Sequence, residues 1–240
     1  MNILFPIAGR GERFKNNGFE LPKPLIDVNG VPMIEMAVNS FGGIGNFIFV
    51  IYTYENQEYN DKLVSTLNSI VDNPKIIKIN YITEGPASSA LLAEKYINNE
   101  EELIILNCDQ IMKWNYDDFY NFIKYENCDG VIVTYDSDTD KNSYVRIDEH
   151  GYAIELAEKN VISNISLNGI HYWRNGSFFV DSAKKMINKN IKVNNEFYIS
   201  LTYNEMISDG KKIKNYHIPN GYHFAVGVPE DLKKFLENEN

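Results

Sequence analysis

Residues 8–23 hold the first groups able to do phosphate chemistry. Gly9 and Gly11, in Ala8-Gly9-Arg10-Gly11-Glu12-Arg13, follow an apolar run from Ile3 to Ile7. With no Cβ in the way, such a loop turns tightly and lays its N–H groups against phosphate oxygens. Arg13 stands two residues past the second glycine. Lys23 lies between Pro22 and Pro24, whose rings fix φ on both sides and restrict where the ammonium points. A strand, a glycine loop and two held cations read as a polyphosphate cradle. A dinucleotide-binding Rossmann loop needs a third glycine where Phe14 stands, and a P-loop needs Gly-Lys-Ser/Thr, which is absent. A plain glycine turn with surface cations is the competing account of the same residues.

Two further stretches carry candidate chemistry. Leu103–Leu106 reads as a buried strand ending in Asn107-Cys108-Asp109-Gln110. Ligands of open parallel sheets sit beyond the carboxyl ends of the strands, so Asp109 is expected to face the same cleft as the glycine loop. Magnesium prefers hard oxygen ligands and is commonly held by one or two carboxylates plus substrate phosphates, so Asp109 can found a Mg²⁺ site. Capping of the following turn is the alternative. In Thr83-Glu84-Gly85-Pro86-Ala87-Ser88-Ser89-Ala90, a glycine turn at a helix start gives close backbone approach and free N–H donors, suited to a flat base or an anion. Ordinary capping by Ser88 or Ser89 is the alternative there. Asp136-Ser-Asp-Thr-Asp140 lacks the glycine and distal glutamate of an EF-hand and reads as a solvated turn.

The pattern Ala8-Gly9-Arg10-Gly11-Glu12-Arg13 with Pro22-Lys23-Pro24 resembles the signature of the sugar nucleotidyltransferases, of the capsule and lipopolysaccharide type. These enzymes join a nucleoside triphosphate to a sugar phosphate and release pyrophosphate. The resemblance runs over essentially the whole chain, most clearly at 3–33, 83–110, 155–172 and 194–236. It implies nucleotide contacts for Ala8, Gly9, Arg10, Gly11, Glu84, Gly85, Ser88 and Asn107, and the metal-binding role for Asp109. It implies sugar-phosphate contacts for Tyr144, Glu158, Lys159, Asn168, Gly169 and Glu196, the last in Glu196-Phe-Tyr198. Lysine suits a phosphate that moves during the reaction, being a point charge on a flexible stem. Gly227-Val-Pro-Glu-Asp-Leu232 resembles the family's Gly-Thr-Pro-Glu-Asp-Leu run, with one departure. Many members place a second metal-binding aspartate two residues before that glycine, and here the position is Ala225. Glu196 is a candidate substitute. His223 is close by, but a neutral imidazole is a poor magnesium ligand, so it reads as a packed or solvent-facing side chain.

The elements that must position these groups follow from periodicity. Met33, Ile34, Ala37, Val38 and Phe41 recur at helical spacing behind Pro32, and Gly42–Gly45 end that helix. Phe47–Tyr54 is apolar and aromatic throughout and predicts a central parallel strand. A helix over 57–71, a strand over 76–82, a helix carrying Leu91, Leu92, Tyr96 and Ile97, a helix over 116–125 and a strand over 130–135 come next. Tyr144–Ile147 and Ala153–Leu156 form a predicted hairpin across Asp148-Glu-His-Gly151. Leu167–Tyr172, helices over 176–189 and 197–209, a strand over 212–218 and a terminal helix from Pro229 complete the chain.

The expected architecture is α/β: a mostly parallel mixed sheet flanked by helices, the Rossmann-like nucleotidyltransferase fold that is also GT-A-like, with a small inserted sugar-side subdomain. A single domain over 1–240 would divide into a nucleotide-binding core (1–139), a sugar-phosphate side (140–220) and a C-terminal helix (221–240). Length allows one substantial core. A formal net charge of -10 argues against a nucleic-acid surface, which needs clustered Lys and Arg, so an anionic substrate is expected in a local basic pocket. Cys108 and Cys128 are too few for a disulfide framework or a zinc site and are expected in or beside the core. No apolar stretch approaches the ~20 residues a spanning helix needs and no signal peptide is recognisable, so membrane insertion is not expected and the location is expected to be cytoplasmic. The partners implied are a nucleoside triphosphate, with a lean to CTP, and a sugar or polyol phosphate. Association into a homo-oligomer stays open. The rivals are a GT-A glycosyltransferase, which usually carries Asp-x-Asp where Asn107-Cys108-Asp109 stands, and a non-catalytic nucleotide sensor.

Overall fold

The computed structural model describes residues 1–42 and 44–239. Gly43, part of the expected helix stop, lies outside them. In chain order the elements are β1 (Asn2–Ile7), α1 (Glu12–Lys15), a 3-10 turn (Lys23–Leu25), β2 (Asp27–Val28), β3 (Val31–Pro32), α2 (Met33–Asn39), β4 (Asn46–Tyr52), α3 (Gln57–Ile70) and β5 (Lys75–Ile79). Then follow α4 (Pro86–Leu91), α5 (Glu94–Ile97), β6 (Leu103–Ile105), β7 (Gln110–Met112), α6 (Tyr116–Glu126), β8 (Gly130–Asp136), β9 (Ser143–Ile147), β10 (Ala153–Glu158) and β11 (Ile165–Trp173). α7 (Gly176–Asn188), α8 (Thr202–Ser208), β12 (Ile213–His217), β13 (His223–Ala225) and α9 (Pro229–Glu239) complete the order.

β5, β4, β1 and β6 run parallel in that order, and β11 continues the sheet antiparallel to β6. β8 pairs with the far edge of β11, and β12 runs parallel beyond β8. The β9–β10 hairpin joins the start of β11 through Ser166 and Tyr144. The result is the mostly parallel mixed sheet expected. Its period-two alternation divides the core: Ile3, Phe5 and Ile7 enter one apolar cluster, and Leu4 and Ala8 the other. Strands covered on both faces need no polar side, which explains the unbroken apolar runs at Ile3–Ile7 and Phe47–Ile51. Phe5 and Phe49 stack across the β1–β4 pair with centroids 5.3 Å apart.

One residue opens this sheet. Asn2 donates to Glu102 O at 2.7 Å and Leu4 O accepts from Leu106 at 3.1 Å, so even-numbered residues of β1 face β6. The next on that side is Pro6, which has no N–H to give. The β1–β6 pairing stops at Leu4, whereas the β1–β4 pairing continues to Ile7. The segments after β1 and β6 therefore part, and a cavity opens between them.

Several expected boundaries shift. Pro32 ends β3 and caps α2, instead of lying inside its first turn. β5 stops at Ile79, and Tyr81 and Ile82 are exposed. The helix expected over 197–209 begins only at Thr202; before it Glu196 bridges back to Val193 across the Asn194–Asn195 turn, and Phe197 and Tyr198 lie outside any helix. β7 and β13, which the sequence pattern does not predict, pair antiparallel. Cys108 and Cys128 are both buried and unpaired. No described helix is long and apolar enough to cross a membrane.

Candidate active site

The cavity at the split has a volume of about 420 Å³, and its walls include Gly9, Gly11, Arg13, Lys23, Asn107, Asp109 and Glu196. These residues come from four separate places in the sequence. Gly11 is left-handed at φ 67°, a conformation that favours glycine, and a Cβ there would stand 3.1 Å from Lys23 Cβ. The glycine loop is thus folded directly onto the Pro22-Lys23-Pro24 segment. Lys23 Nζ meets Asp109 Oδ2 at 2.5 Å. Burial pushes the Asp109 carboxyl up, but the Lys23 ammonium and the Gln110 amide outweigh it and hold the acid below its ordinary range. Burial likewise works to lower the Lys23 pKa, and the Asp109 carboxylate overrides it and raises it. Both groups are ionised at neutral pH. Beneath them Cys108 is a neutral thiol, its pKa pushed up to about 12 by burial.

The other oxygen of Asp109, Oδ1, accepts from Gln110 Nε2 at 3.0 Å. Gln110 Oε1 in turn hydrogen-bonds His223, whose ring packs 4.8 Å from Tyr135. Burial pushes the His223 pKa down to about 4, so the ring is neutral. On the remaining side Gly227 presses against the carboxylate: a Cβ there would lie 2.6 Å from Asp109 Oδ2. Sequence reasoning placed Gly227 in a family-like run but found neither its approach to Asp109 nor the Gln110–His223 contact. The only available signal was that a glycine opens the Gly-Val-Pro run.

The charge of the walls corrects the expectation of a basic pocket. Arg13 and Lys23 give two positive charges, and Glu12, Asp109 and Glu196 give three negative ones. Side chains alone leave a triphosphate without compensation. Hard carboxylate oxygens that outnumber the cations are a donor set that fits Mg²⁺. Among the described residues no cluster of three or more His, Cys, Asp or Glu forms a self-sufficient metal cage. Ala225 is exposed and sits opposite Gln110 in the β7–β13 pair.

The other expected residues fall into two groups. Lys159 is left-handed at φ 53° and hydrogen-bonds the Tyr198 hydroxyl, which donates to Glu196 Oε2 at 2.5 Å. Glu196 lines the cavity, so Tyr198 ties Lys159 to the site. Gly169 is left-handed at φ 90°, in the bulge of β11, and a Cβ there would stand 3.4 Å from Asn107 Nδ2 and 3.5 Å from Gln110 Nε2. Three residues expected at a sugar phosphate are instead committed to the protein. Tyr144 is fully buried and donates to Thr139 O at 2.6 Å. Glu158 is buried and accepts from Ser143 and from Ser200, the latter at 2.9 Å. Asn168 is 2% exposed, and its Oδ1 accepts from Ile170 N at 3.0 Å. Buried polar groups must find partners, and these have found them inside the fold.

On the nucleotide side, Ala8 is buried at the end of β1, and Arg10 points away from the cavity to stack over Tyr52 at 5.5 Å. Arg10 lines a second hollow of about 720 Å³ with Lys15, Phe19, Tyr52, Tyr54 and Tyr59. Glu84 pairs with Lys192 at 2.7 Å. Gly85, at φ 116°, packs so tightly on the Phe197 backbone that a Cβ would be 2.6 Å from its nitrogen. Neither Ser88 nor Ser89 caps α4: no side chain caps that helix, and Ser89 instead bonds Thr83 at 2.6 Å.

A parallel sheet opened at the carboxyl ends of β1 and β6, with a glycine loop and an acid facing each other across the gap, defines a nucleotide-handling α/β protein. The chain belongs to the nucleotidyl transferase family, whose model matches residues 6–235. It is 25% identical over 236 residues to the bifunctional protein GlmU of Methanococcus aeolicus, a match over 97% of this chain and 53% of that protein. The chain thus spans about half the length of the curated relatives it matches. The fold superposes on the nucleoside-diphosphate-sugar pyrophosphorylase from Vibrio cholerae RC9 with a TM-score of 0.83 at 21% identity, covering 99% of this chain and 100% of that one. It superposes on the inositol-1-phosphate CTP transferase from T. maritima with a TM-score of 0.75 at 14% identity, covering 98% and 94%.

Proposed function

We propose that this protein condenses a nucleoside triphosphate with a sugar or polyol phosphate, giving a nucleotide sugar and pyrophosphate for surface polysaccharide synthesis in the cytoplasm. The observation that carries the proposal is the convergence of Gly9, Gly11, Arg13, Lys23, Asp109 and Glu196 on one cavity. A phosphate oxygen of the second substrate attacks the α-phosphorus, the bond from that phosphorus to the bridging oxygen breaks, and pyrophosphate leaves with the bond's electrons. No proton has to be moved by the protein. Catalysis is therefore alignment and charge neutralisation.

The loop N–H groups at Gly9 and Gly11 receive phosphate oxygens. Arg13 and Lys23 brace the triphosphate and the departing pyrophosphate. Asp109, with Glu196 across the cavity, would hold Mg²⁺, which supplies charge neutralisation between phosphates when bound. Lys159, presented through Tyr198, receives the second phosphate, and residues 140–220 form its side of the site. The base lies against the Gly85 turn, where backbone contacts do the reading, and CTP is the preferred candidate.

The test is a screen of CTP, UTP, dTTP and GTP against sugar and polyol phosphates, monitored by released pyrophosphate. Magnesium-dependent release with one pair is the expected result. Triphosphate binding without release over the whole panel would favour a sensor. Consumption of a nucleotide sugar without pyrophosphate would favour a glycosyltransferase.

A further inference from the structure

Gln110 touches Asp109 from the side opposite Lys23, and the reaction as described gives it no task. Its contacts fix its chemistry. An ionised carboxylate only accepts, so the NH₂ end of the amide faces Asp109 Oδ1, 3.0 Å away, and the carbonyl end faces His223. A carbonyl also only accepts. His223 therefore carries its proton on Nε2 and donates it to Gln110. Both members are anchored by the β7–β13 pair, in which Ala225 stands opposite Gln110, and Val226 N donates to the Asp109 carbonyl at 2.9 Å. The His223 ring is seated on Tyr135.

We infer that Gln110 is a positioning residue for the nucleotidyl transfer, itself held by His223. The pair fixes Asp109 Oδ1 while Lys23 fixes Oδ2, so the free lone pairs of the carboxylate keep one aim into the cavity. This rests on the reading of Asp109 as the carboxylate of the phosphate site. Position 225 carries no acid, so no carboxylate of β13 shares with Asp109 the work of directing the cation. A neutral amide clamp supplies that direction without adding a charge to walls that already hold three acids against two cations.

Three variants test the clamp. Gln110→Met keeps the length of the side chain without its hydrogen bonds. Gln110→Glu keeps the shape but places an acceptor where Asp109 needs a donor. His223→Phe keeps a ring against Tyr135 without the N–H. In the pyrophosphate assay both Gln110 variants should lose about 10- to 100-fold in kcat, the range for removing a partner of a metal-site ligand, with the nucleotide KM within about twofold of wild type. His223→Phe should lose less, and Gln110→Met/His223→Phe should be no slower than Gln110→Met alone, because the two act through one chain of bonds.

Independently of turnover, long-range ¹H–¹⁵N spectra of the four histidines should show the Nε2–H tautomer for the resonance that His223→Phe removes. That fixed tautomer should be lost in Gln110→Met. Should Gln110→Met not fold, His223→Phe and the tautomer carry the test. Asp109→Asn in the same assay separates the two levels. Wild-type turnover in Asp109→Asn overturns the reading of the site itself. An inactive Asp109→Asn beside Gln110 variants of wild-type kcat, multiplying losses in the double variant, or a proton found on Nδ1 overturns the clamp alone.

Discussion

Gly227→Ala is the smallest change expected to silence the site. The added methyl would lie 2.6 Å from Asp109 Oδ2 and 3.8 Å from Lys23 Nζ. A carbon–oxygen contact relaxes only near 3.2 Å, so about 0.6 Å of movement must be found. The φ of Gly227 is not in the left-handed region, so alanine fits the backbone and the cost is steric alone. Asp109 is the group that must move, and Lys23 at 2.5 Å and Gln110 at 3.0 Å both hold it where it is. Displacements approaching 1 Å at a reacting centre cost on the order of 100-fold, and a 0.6 Å shift of Asp109 should lower kcat by about 10- to 100-fold. Circular dichroism and the thermal midpoint should change little beside that loss, since Gly227 is at the site's rim and not in either apolar cluster. The assay is pyrophosphate release at saturating substrates with the midpoint measured in parallel. Gly227→Ala with more than about half the wild-type kcat would show that the position of Asp109 is not what catalysis depends on.

Arg13→Ala and Lys23→Ala should each cut turnover by about 100-fold or more, as removal of transition-state charge donors does, while far-ultraviolet circular dichroism stays native. Near-normal pyrophosphate release with either would end the assignment of the cradle. Ala225→Asp puts a carboxylate opposite Gln110 and should lower the Mg²⁺ concentration for half-maximal rate several-fold; an unchanged magnesium titration would place residue 225 away from the phosphates. His171 is buried between Trp173 and Tyr203, its Nδ1 unpartnered and its pKa pushed down to about 3 by burial. Below the unfolded pKa of about 6.5 the unfolded chain binds a proton that the native state refuses, so stability falls as pH drops from there towards 3. By pH 4.5 the loss is on the order of 2–3 kcal/mol. Urea titrations of His171→Phe should show a correspondingly weaker dependence between pH 6.5 and 4.5, and a slope identical to wild type would exclude the histidine as its source.

The sheet was legible because its strands are buried on both faces, and burial of that kind leaves unbroken apolar runs such as Ile3–Ile7 and Phe47–Ile51. The cradle was legible because its parts are local: two glycines, Arg13 and a proline-bracketed Lys23 lie within fifteen residues. What could not be read depends on contacts between distant segments. The meaning of Pro6 emerges only once even-numbered residues of β1 are known to face β6. β7 and β13 are three residues each and carry no periodicity, so the Gln110–His223 contact they create was invisible. Tyr144, Glu158 and Asn168 have polar side chains in a family-like order, but whether such a group meets a ligand or a serine hydroxyl is decided by the packing around it. The local basic pocket failed in part for the same reason, since Glu196 joins the wall only in three dimensions.

The central claim is where a triphosphate binds. A crystal structure with Mg²⁺ and a non-hydrolysable analogue of whichever nucleotide supports turnover tests it directly. The expected result has the phosphates in the cavity between Gly9–Gly11 and Asp109, with Arg13 and Lys23 in contact with them. Phosphates seated instead in the hollow beside Tyr52 and Tyr59, with Asp109 facing only Lys23 and Gln110, would contradict the account.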